Sequence, residues 1–481
     1  MAFKQLHIAL IASPGIGHLA PLLSLGHRLA TTHNLRATVL AVTTTISPAI
    51  TQLLTSLTTT NLSVIQIPAA DISAVIPPDA KIVTQLCIMM RETVPAIRST
   101  ISTMASGPHA LIGDIFSTDS WLIAEELGIP KYVLVTGNAW FTSLFIYSPV
   151  LDKQVVGQYV DQKEPLEIPG CKSVLPEDVV DPMLNRDDET YGVYLAQSVG
   201  VTLADGVLIN SWEDLEPQSL DALRNNEVLR SVIRCKPVYT VGPVIKGYEP
   251  DGAERSGVKN KVIEWLDKQP NRSVIYVSFG SGGTISVEQM KELACGLELS
   301  HQRFIWVVRT PSGQVSDGSF LKTGQSSGLD GPCGYLPEGF LGRTEKIGLV
   351  VPSWAPQVEI LDHVSVAGFL THCGWNSTLE SIMSGVPMIA WPLYAEQKMN
   401  ATMLTEVLEV AVRPAALPTV KVVGREEVAK MVVDLVEGEK GKTMKMKVDM
   451  LKESGNKAIS ENGSSYVSIC KFIEDCRSRC H

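Results

Sequence analysis

The sequence predicts an α/β protein made of two doubly wound parallel-sheet halves, and three observations lead there. Short apolar runs alternate with amphipathic helical stretches along most of the chain, which is the pattern of successive βαβ units. The alternation occurs twice, on either side of a polar stretch, VIKGYEPDGAERSGVKN, that reads as an interdomain linker. The length of 481 residues also exceeds what a single core supports. The expected domains are therefore 1–245 and 246–460, followed by a helical tail over 461–481.

In the first half, LHIALIA (6–12) is a bounded apolar run and reads as a buried strand. The turn SPGIGH follows, then a helix expected from near Leu19, with Leu22, Leu25 and Leu29 at helical spacing. RATVLAV, a helix after Ser47, LSVIQIP, a helix over about 80–105, HALIGD, a helix after Thr118 and KYVLVT continue the alternation. A Pro- and acid-rich excursion over 162–188 is too irregular for a sheet element and is a candidate binding loop. GVLIN and VYTVGP complete this half. In the second half SVIYVSFGS, a helix after Ser286, FIWVVR, GLVVP, VAGFL and PMIAWP repeat the pattern before two helices that end near Ser460. The Gly/Ser-rich stretch 310–334 reads as a surface loop.

Composition excludes several function classes. A net charge of −10 without a basic stripe disfavours nucleic acid and anionic membrane as partners. Nine cysteines without paired spacing suit reduced thiols rather than a disulfide framework, and so a cytoplasmic protein. The N-terminal apolar run is too short to span a membrane and carries no cleavage pattern, and no later run is long enough. With 45% hydrophobic and 19% charged residues, a soluble enzyme is expected. Gly15-x-Gly17 has neither the third glycine nor the ribose-binding acid of a dinucleotide fingerprint, so NAD is not expected.

Chemistry concentrates between Trp354 and Gln397, in WAPQVEILDHVSVAGFLTHCGWNSTLESIMSGVPMIAWPLYAEQ. The strand VAGFL runs through Thr371, His372, Cys373 and Gly374 into a helix that stops at Gly385 and Pro387. A strand, a tight turn and a helix N-terminus form an anion site, since the first helical N–H groups lack partners and the dipole adds positive potential. Gly374 permits close backbone approach, and His372, Asn376 and Ser377 add side-chain donors suited to a diphosphate. Trp354, in a proline-braced loop, offers a face for a base, and Gln357 and Glu380 suit a ribose diol. Glu396 and Gln397 follow a strand end, where ligands of open α/β sheets bind, and suit sugar hydroxyls. HCGW has no second Cys/His pair at ligand spacing, so no metal site is expected. Each residue alone has an ordinary structural reading; the ordered set points to a nucleotide-sugar socket.

This stretch resembles the signature box of the plant family 1 UDP-dependent glycosyltransferases, from its W-x-P-Q start through HCGWNS and GVP to its E-Q end. SFGSGGT, GYLPEGF and SPGIGHLAPL extend the resemblance, most closely to the group containing hydroquinone and monolignol glucosyltransferases. The resemblance implies the GT-B fold, with Rossmann-like domains facing across a cleft and the tail 461–481 packing back on the first. It implies that Trp354 and Ala355 hold uracil, Gln357 and Glu380 the ribose, and His372, Asn376 and Ser377 the phosphates. Trp375, Glu396 and Gln397 would hold the sugar; a final Gln suits glucose. Ser281, in the SFGSGG turn with Gly280, would add a phosphate donor, against the alternative of a plain βα turn. Asn138 occupies a family position for a sugar hydroxyl, against the alternative of a helix cap.

Transfer to a phenol requires a base, and histidine is suited to that near neutral pH. His18 lies at a strand–turn–helix corner, where the helix N-terminus disfavours imidazolium in the resting state. Asp114, at the end of HALIGD, is the expected partner that stabilises imidazolium during attack, and the resembled family uses this pair. Asp119 competes for that role. Phe116, Trp140, Phe141, Phe145 and Ile146 are candidate acceptor contacts, with core packing as the alternative.

The expected activity is inverting transfer of glucose from UDP-glucose to small aromatic acceptors by a monomer without metal or other cofactor. Another UDP-sugar donor, N-glucosylation of anilines and UDP-sugar binding without transfer are the alternatives.

Overall fold

The computed structural model describes residues 5–44, 59–245, 261–311 and 331–479. The expected helix after Ser47, nearly all of the expected linker and residues 312–330 of the expected surface loop lie outside them. The chain divides into two compact units, Met1–Lys246 with Gly455–His481, and Gly247–Ser454.

The first unit holds seven parallel strands: β1 (His7–Ala12), β2 (Arg36–Thr43), β3 (Leu62–Pro68), β4 (Ala110–Asp114), β5 (Lys131–Val135), β6 (Gly206–Ile209) and β7 (Val238–Thr240). Their order is β3-β2-β1-β4-β5-β6-β7. All six residues of β1 are buried, as expected where helices cover both faces of a parallel sheet. The helices are α1 (Ile16–Thr31), α2 (Ile82–Ser102), α3 (Trp121–Leu127), α4 (Ala139–Gln154), α5 (Glu189–Thr202), α6 (Pro217–Asn225) and α7 (Glu227–Val232). Helix α1 begins three residues before the expected Leu19, because Gly15, at a φ of 109° that side chains rarely adopt, completes the turn at once. The chain order reverses between β1 and β4, which pair with Ile11 opposite Gly113.

The second unit repeats the design with α8 (Lys261–Leu266), β8 (Val274–Ser278), α9 (Val287–Leu299), β9 (Arg303–Val308), α10 (Phe340–Thr344), β10 (Gly348–Pro352), α11 (Gln357–Leu361), β11 (Val366–Thr371), α12 (Trp375–Ser384), β12 (Met388–Ala390), α13 (Gln397–Thr402), β13 (Ala411–Val412), α14 (Arg425–Val436) and most of α15 (Glu439–Ile459), whose last turn from Gly455 falls to the first unit. Its sheet runs β10-β9-β8-β11-β12-β13, with the switch between β8 and β11. There Ser278 stands opposite Thr371. Helix α12 stops where expected, at Gly385, whose φ of 72° is left-handed.

The last helix, α16 (Ser464–Arg479), belongs to the first unit. Ile469, Phe472, Ile473 and Cys476 enter the core formed by β1, β2 and α1, where full burial of a large apolar side chain contributes roughly 1.5–3 kcal/mol. Phe472 meets Tyr132 of β5 edge-on at 4.8 Å, and the Tyr132 hydroxyl donates to Asp475 at 2.7 Å. No helix among the described residues is long and apolar enough to cross a membrane.

Candidate functional site

In open α/β sheets ligands lie outside the carboxyl ends of the strands where the order reverses, and both units place their chemically capable residues there. In the first unit β1 leads through Ser13 and Gly15 to His18 in the first turn of α1, while β4 ends on Asp114. His18 Nδ1 lies 3.4 Å from Asp114 Oδ2, with the imidazole partly exposed and the carboxylate fully buried.

Asp114 is held almost rigidly. Its Oδ2 accepts from Ser13 N at 2.8 Å and Ser13 Oγ at 2.5 Å, and its Oδ1 accepts from Phe116 N at 3.1 Å and Ser117 Oγ at 2.8 Å. Burial alone would raise its pKa, but His18 and the Ser13 donors outweigh that and hold it below the ordinary carboxylate value. Nδ1 has no formed hydrogen bond, so the contact is electrostatic; an ionised carboxylate at this distance favours the neutral tautomer protonated on Nδ1, which leaves the Nε2 lone pair free. Phe116 packs against the imidazole at 5.0 Å. The competing Asp119 lies in the short Thr118–Ser120 turn, and the ion-pair contact with His18 belongs to Asp114.

Asn138 caps α4, its Oδ1 accepting from Phe141 N at 2.7 Å. Trp140 and Phe141 are buried at the start of that helix, Phe145 stacks on Phe141 at 5.4 Å, and Ile146 is fully enclosed. Of the five candidate acceptor contacts, Phe116 packs against the His18 ring, whereas Ile146 is a core residue. Sequence reasoning missed Glu216, a buried carboxylate that accepts from Ala139 N and Trp140 N, each at 3.0 Å. Ser211 Oγ also donates to it at 2.6 Å, so a charge from the loop after β6 anchors the start of α4.

In the second unit Cys373, at a φ of 65°, turns the chain after β11 so that Gly374 becomes the N-cap of α12 with no side-chain cap. The turn after β8 meets this one at His372. A Cβ added to Gly280 would fall 2.5 Å from His372 Cε1, and one added to Gly374 would fall 2.5 Å from Nε2, so both turns are glycine to admit the ring. Gly280 also has a φ of 73°. Burial pulls the His372 pKa down to about 4, and its Nδ1 has no hydrogen-bond partner. Ser281 lies beside Gly280, partly exposed. A neutral imidazole, an uncapped helix start with Asn376 and Ser377 in its first turn, and the Gly280–Ser281 turn thus converge on one spot suited to an anion.

Trp354 stands half exposed after Ser353, whose φ is 65°, while Ala355 is buried. Gln357 and Glu380, expected together at a ribose diol, are joined directly: Gln357 Nε2 donates to Glu380 Oε2 at 2.6 Å and to Ser377 Oγ at 2.8 Å. Trp375 is buried. Glu396 accepts from Asn400 Nδ2 at 3.3 Å. Gln397 is buried, and its Oε1 accepts from Leu393 N at 2.9 Å and Tyr394 N at 3.1 Å, pinning the loop after β12. Among the described residues no cluster of three or more His, Cys, Asp or Glu side chains could hold a metal ion.

The family model described as UDP-glucoronosyl and UDP-glucosyl transferase matches residues 251–453. Anthocyanidin 3-O-glucosyltransferase 5 of Manihot esculenta is 50% identical over 461 residues, covering 96% of this chain and 93% of its own. The hydroquinone glucosyltransferase of Rauvolfia serpentina is 40% identical over 97% of each chain. Among solved structures, TcCGT1 in complex with UDP superposes with a TM-score of 0.91 at 45% identity, covering 99% of this chain and 100% of that one.

Proposed function

Because the chain belongs to the plant family 1 UDP-dependent glycosyltransferases, with the two Rossmann-like domains of the GT-B fold, we propose that it is an inverting, UDP-glucose-dependent O-glucosyltransferase. Its acceptors are small phenols and its products β-glucosides. The observation that carries this reading is the contact of His18 Nδ1 with Asp114, a buried carboxylate that four other donors hold in place. A binding protein needs no such pair.

The acceptor O–H bond breaks and its proton passes to His18 Nε2, while the oxygen forms a bond to the anomeric carbon. The bond from that carbon to the diphosphate breaks, and UDP leaves with the electron pair from the opposite face. Asp114 stabilises the imidazolium that forms, as the third member of a hydrolase triad does. Trp354 and Ala355 hold uracil, and the joined Gln357–Glu380 pair holds the ribose. His372, Gly374, Asn376, Ser377 and Ser281 receive the diphosphate. Trp375, Glu396, Gln397 and Asn138 address the sugar, Gln397 through the amide NH2 that its pinned Oε1 orients.

The names of two relatives support glucose as donor sugar and a phenolic acceptor, and the UDP complex of a third supports the nucleotide. The enzyme works as a cytoplasmic monomer without metal. Purified protein given UDP-glucose, UDP-galactose or UDP-xylose with a panel of phenols should yield a hexose adduct from UDP-glucose first, with a β-anomeric proton by NMR. Preference for another donor, or an α-anomer, would overturn the corresponding part of the proposal.

A further inference from the structure

Arg309 stands one residue beyond the end of β9, beside β8 in the second sheet, with Val277 and Trp306 in register. It therefore shares the carboxyl edge from which the Gly280 turn departs. Its Nη1 donates to Gly280 O at 3.3 Å. The side chain is half-buried and lines a small cavity together with Phe279, Thr284, Ile285, Met290 and Trp306, and that burial costs the guanidinium part of its hydration. Among the described residues Tyr394 is the ionisable group that acts on it, and no carboxylate does. Tyr394 in turn faces the His372 ring at 6.5 Å.

A partly desolvated cation with no carboxylate against it among the described residues is costly to keep, and such groups mark sites where an anion is supplied from outside. The site occupied here is the carbonyl of the glycine packed against His372. We propose that Arg309 is a positioning residue for the diphosphate: it fixes the Gly280–Ser281 turn through the Gly280 carbonyl and places a fixed positive charge behind it. This deepens the assignment of UDP to the second unit and rests on it. As the anomeric bond breaks, negative charge grows on the β-phosphate, so a preorganised cation favours the transition state over the ground state. Lysine restores the charge without the planar fork, whereas methionine retains bulk alone.

The test is calorimetric binding of UDP and of uridine, which has the base and ribose but no phosphate, to the full-length wild type, Arg309→Met and Arg309→Lys. Thermal unfolding of each variant runs alongside. Arg309→Met should weaken UDP by about tenfold or more while uridine changes less than about twofold, and Arg309→Lys should recover most of the loss. Turnover in Arg309→Met should fall beyond what saturation with donor restores. Equal weakening of UDP and uridine in a folded Arg309→Met would reduce Arg309 to a structural part of the turn and overturn the proposal, as would unchanged UDP affinity. A wild type that binds no UDP would retire the donor-site reading itself, and Arg309 with it.

Discussion

Asp114→Asn changes one atom and separates the catalytic from the structural content of the first-unit cluster. Two of the groups that donate to Asp114 are backbone amides, Ser13 N on Oδ2 and Phe116 N on Oδ1, and neither can reverse. Whichever way the asparagine amide is turned, its NH2 meets one of those N–H groups. One hydrogen bond is lost and a buried donor is stranded, a cost of about 1–3 kcal/mol. At about 2–4 °C per kcal/mol for a domain of this size class, Tm should fall by roughly 2–12 °C. Because the folded pKa of Asp114 is depressed, its ionisation stabilises the fold fully above the unfolded value and the contribution is lost as pH falls through the folded one. The stability deficit of the variant should therefore be constant from pH 5 upwards and shrink only below about pH 4. Transfer should fall further than stability does. Without the carboxylate, His18 loses the group that sets its tautomer and its counter-ion, and turnover should drop about 10²–10⁴-fold at every pH. The assay is product formation from UDP-glucose and a phenol at 25 °C, well below either Tm, with UDP affinity measured in parallel. Turnover within about threefold of wild type in a folded variant would refute the role given to Asp114.

Three further outcomes test the second unit. Trp354→Ala should weaken UDP about 10–100-fold with no change in Tm, since the ring is half exposed and its loss removes a stacking surface rather than core; calorimetry checks it. Gly280→Ala should weaken UDP while leaving the fold intact, because the added methyl presses into the His372 ring from a backbone with φ of 73°; paired binding and circular dichroism measurements read both effects. His372, with its pKa near 4 against about 6.5 unfolded, stabilises the fold fully above the unfolded value and loses that contribution as pH falls towards 4. Wild-type stability should thus rise by on the order of 3 kcal/mol between pH 4 and 6.5, and denaturant titrations of His372→Gln should lack that part of the slope.

Most of the sheets were legible in the sequence because a parallel strand covered on both faces is a short unbroken apolar run, as in HIALIA and VAGFL. Strand β13 was not, since its two residues take their identity from pairing with β12 rather than from any local pattern. The site residues were legible where one turn carries several of them, as His372, Gly374, Asn376 and Ser377 do. Long-range relations were not legible. That Gln357 donates to Glu380, that Gly280 makes room for His372, and that Gln397 spends its oxygen on its own loop are facts of packing between segments far apart in the chain or of a turn's exact path. Glu216 and Arg309 escaped notice for a related reason. Each looks like an ordinary surface charge in its local sequence, and what sets it apart is full or partial burial with no opposite charge acting on it among the described residues. Along the apolar stretch Trp140 to Ile146 the sequence left two readings open, because apolar character near a sheet edge does not distinguish a pocket wall from a core; the structure encloses Ile146 completely.

The most direct measurement compares wild type with His18→Ala for two quantities in the same preparation, the affinity for UDP and the rate at which a phenol gains a hexose from UDP-glucose. The proposed mechanism predicts UDP affinity unchanged within about twofold and transfer reduced by about 10²–10⁴-fold. Transfer persisting at near wild-type rate in a folded His18→Ala protein that still binds UDP would contradict it, and the base would have to be sought elsewhere.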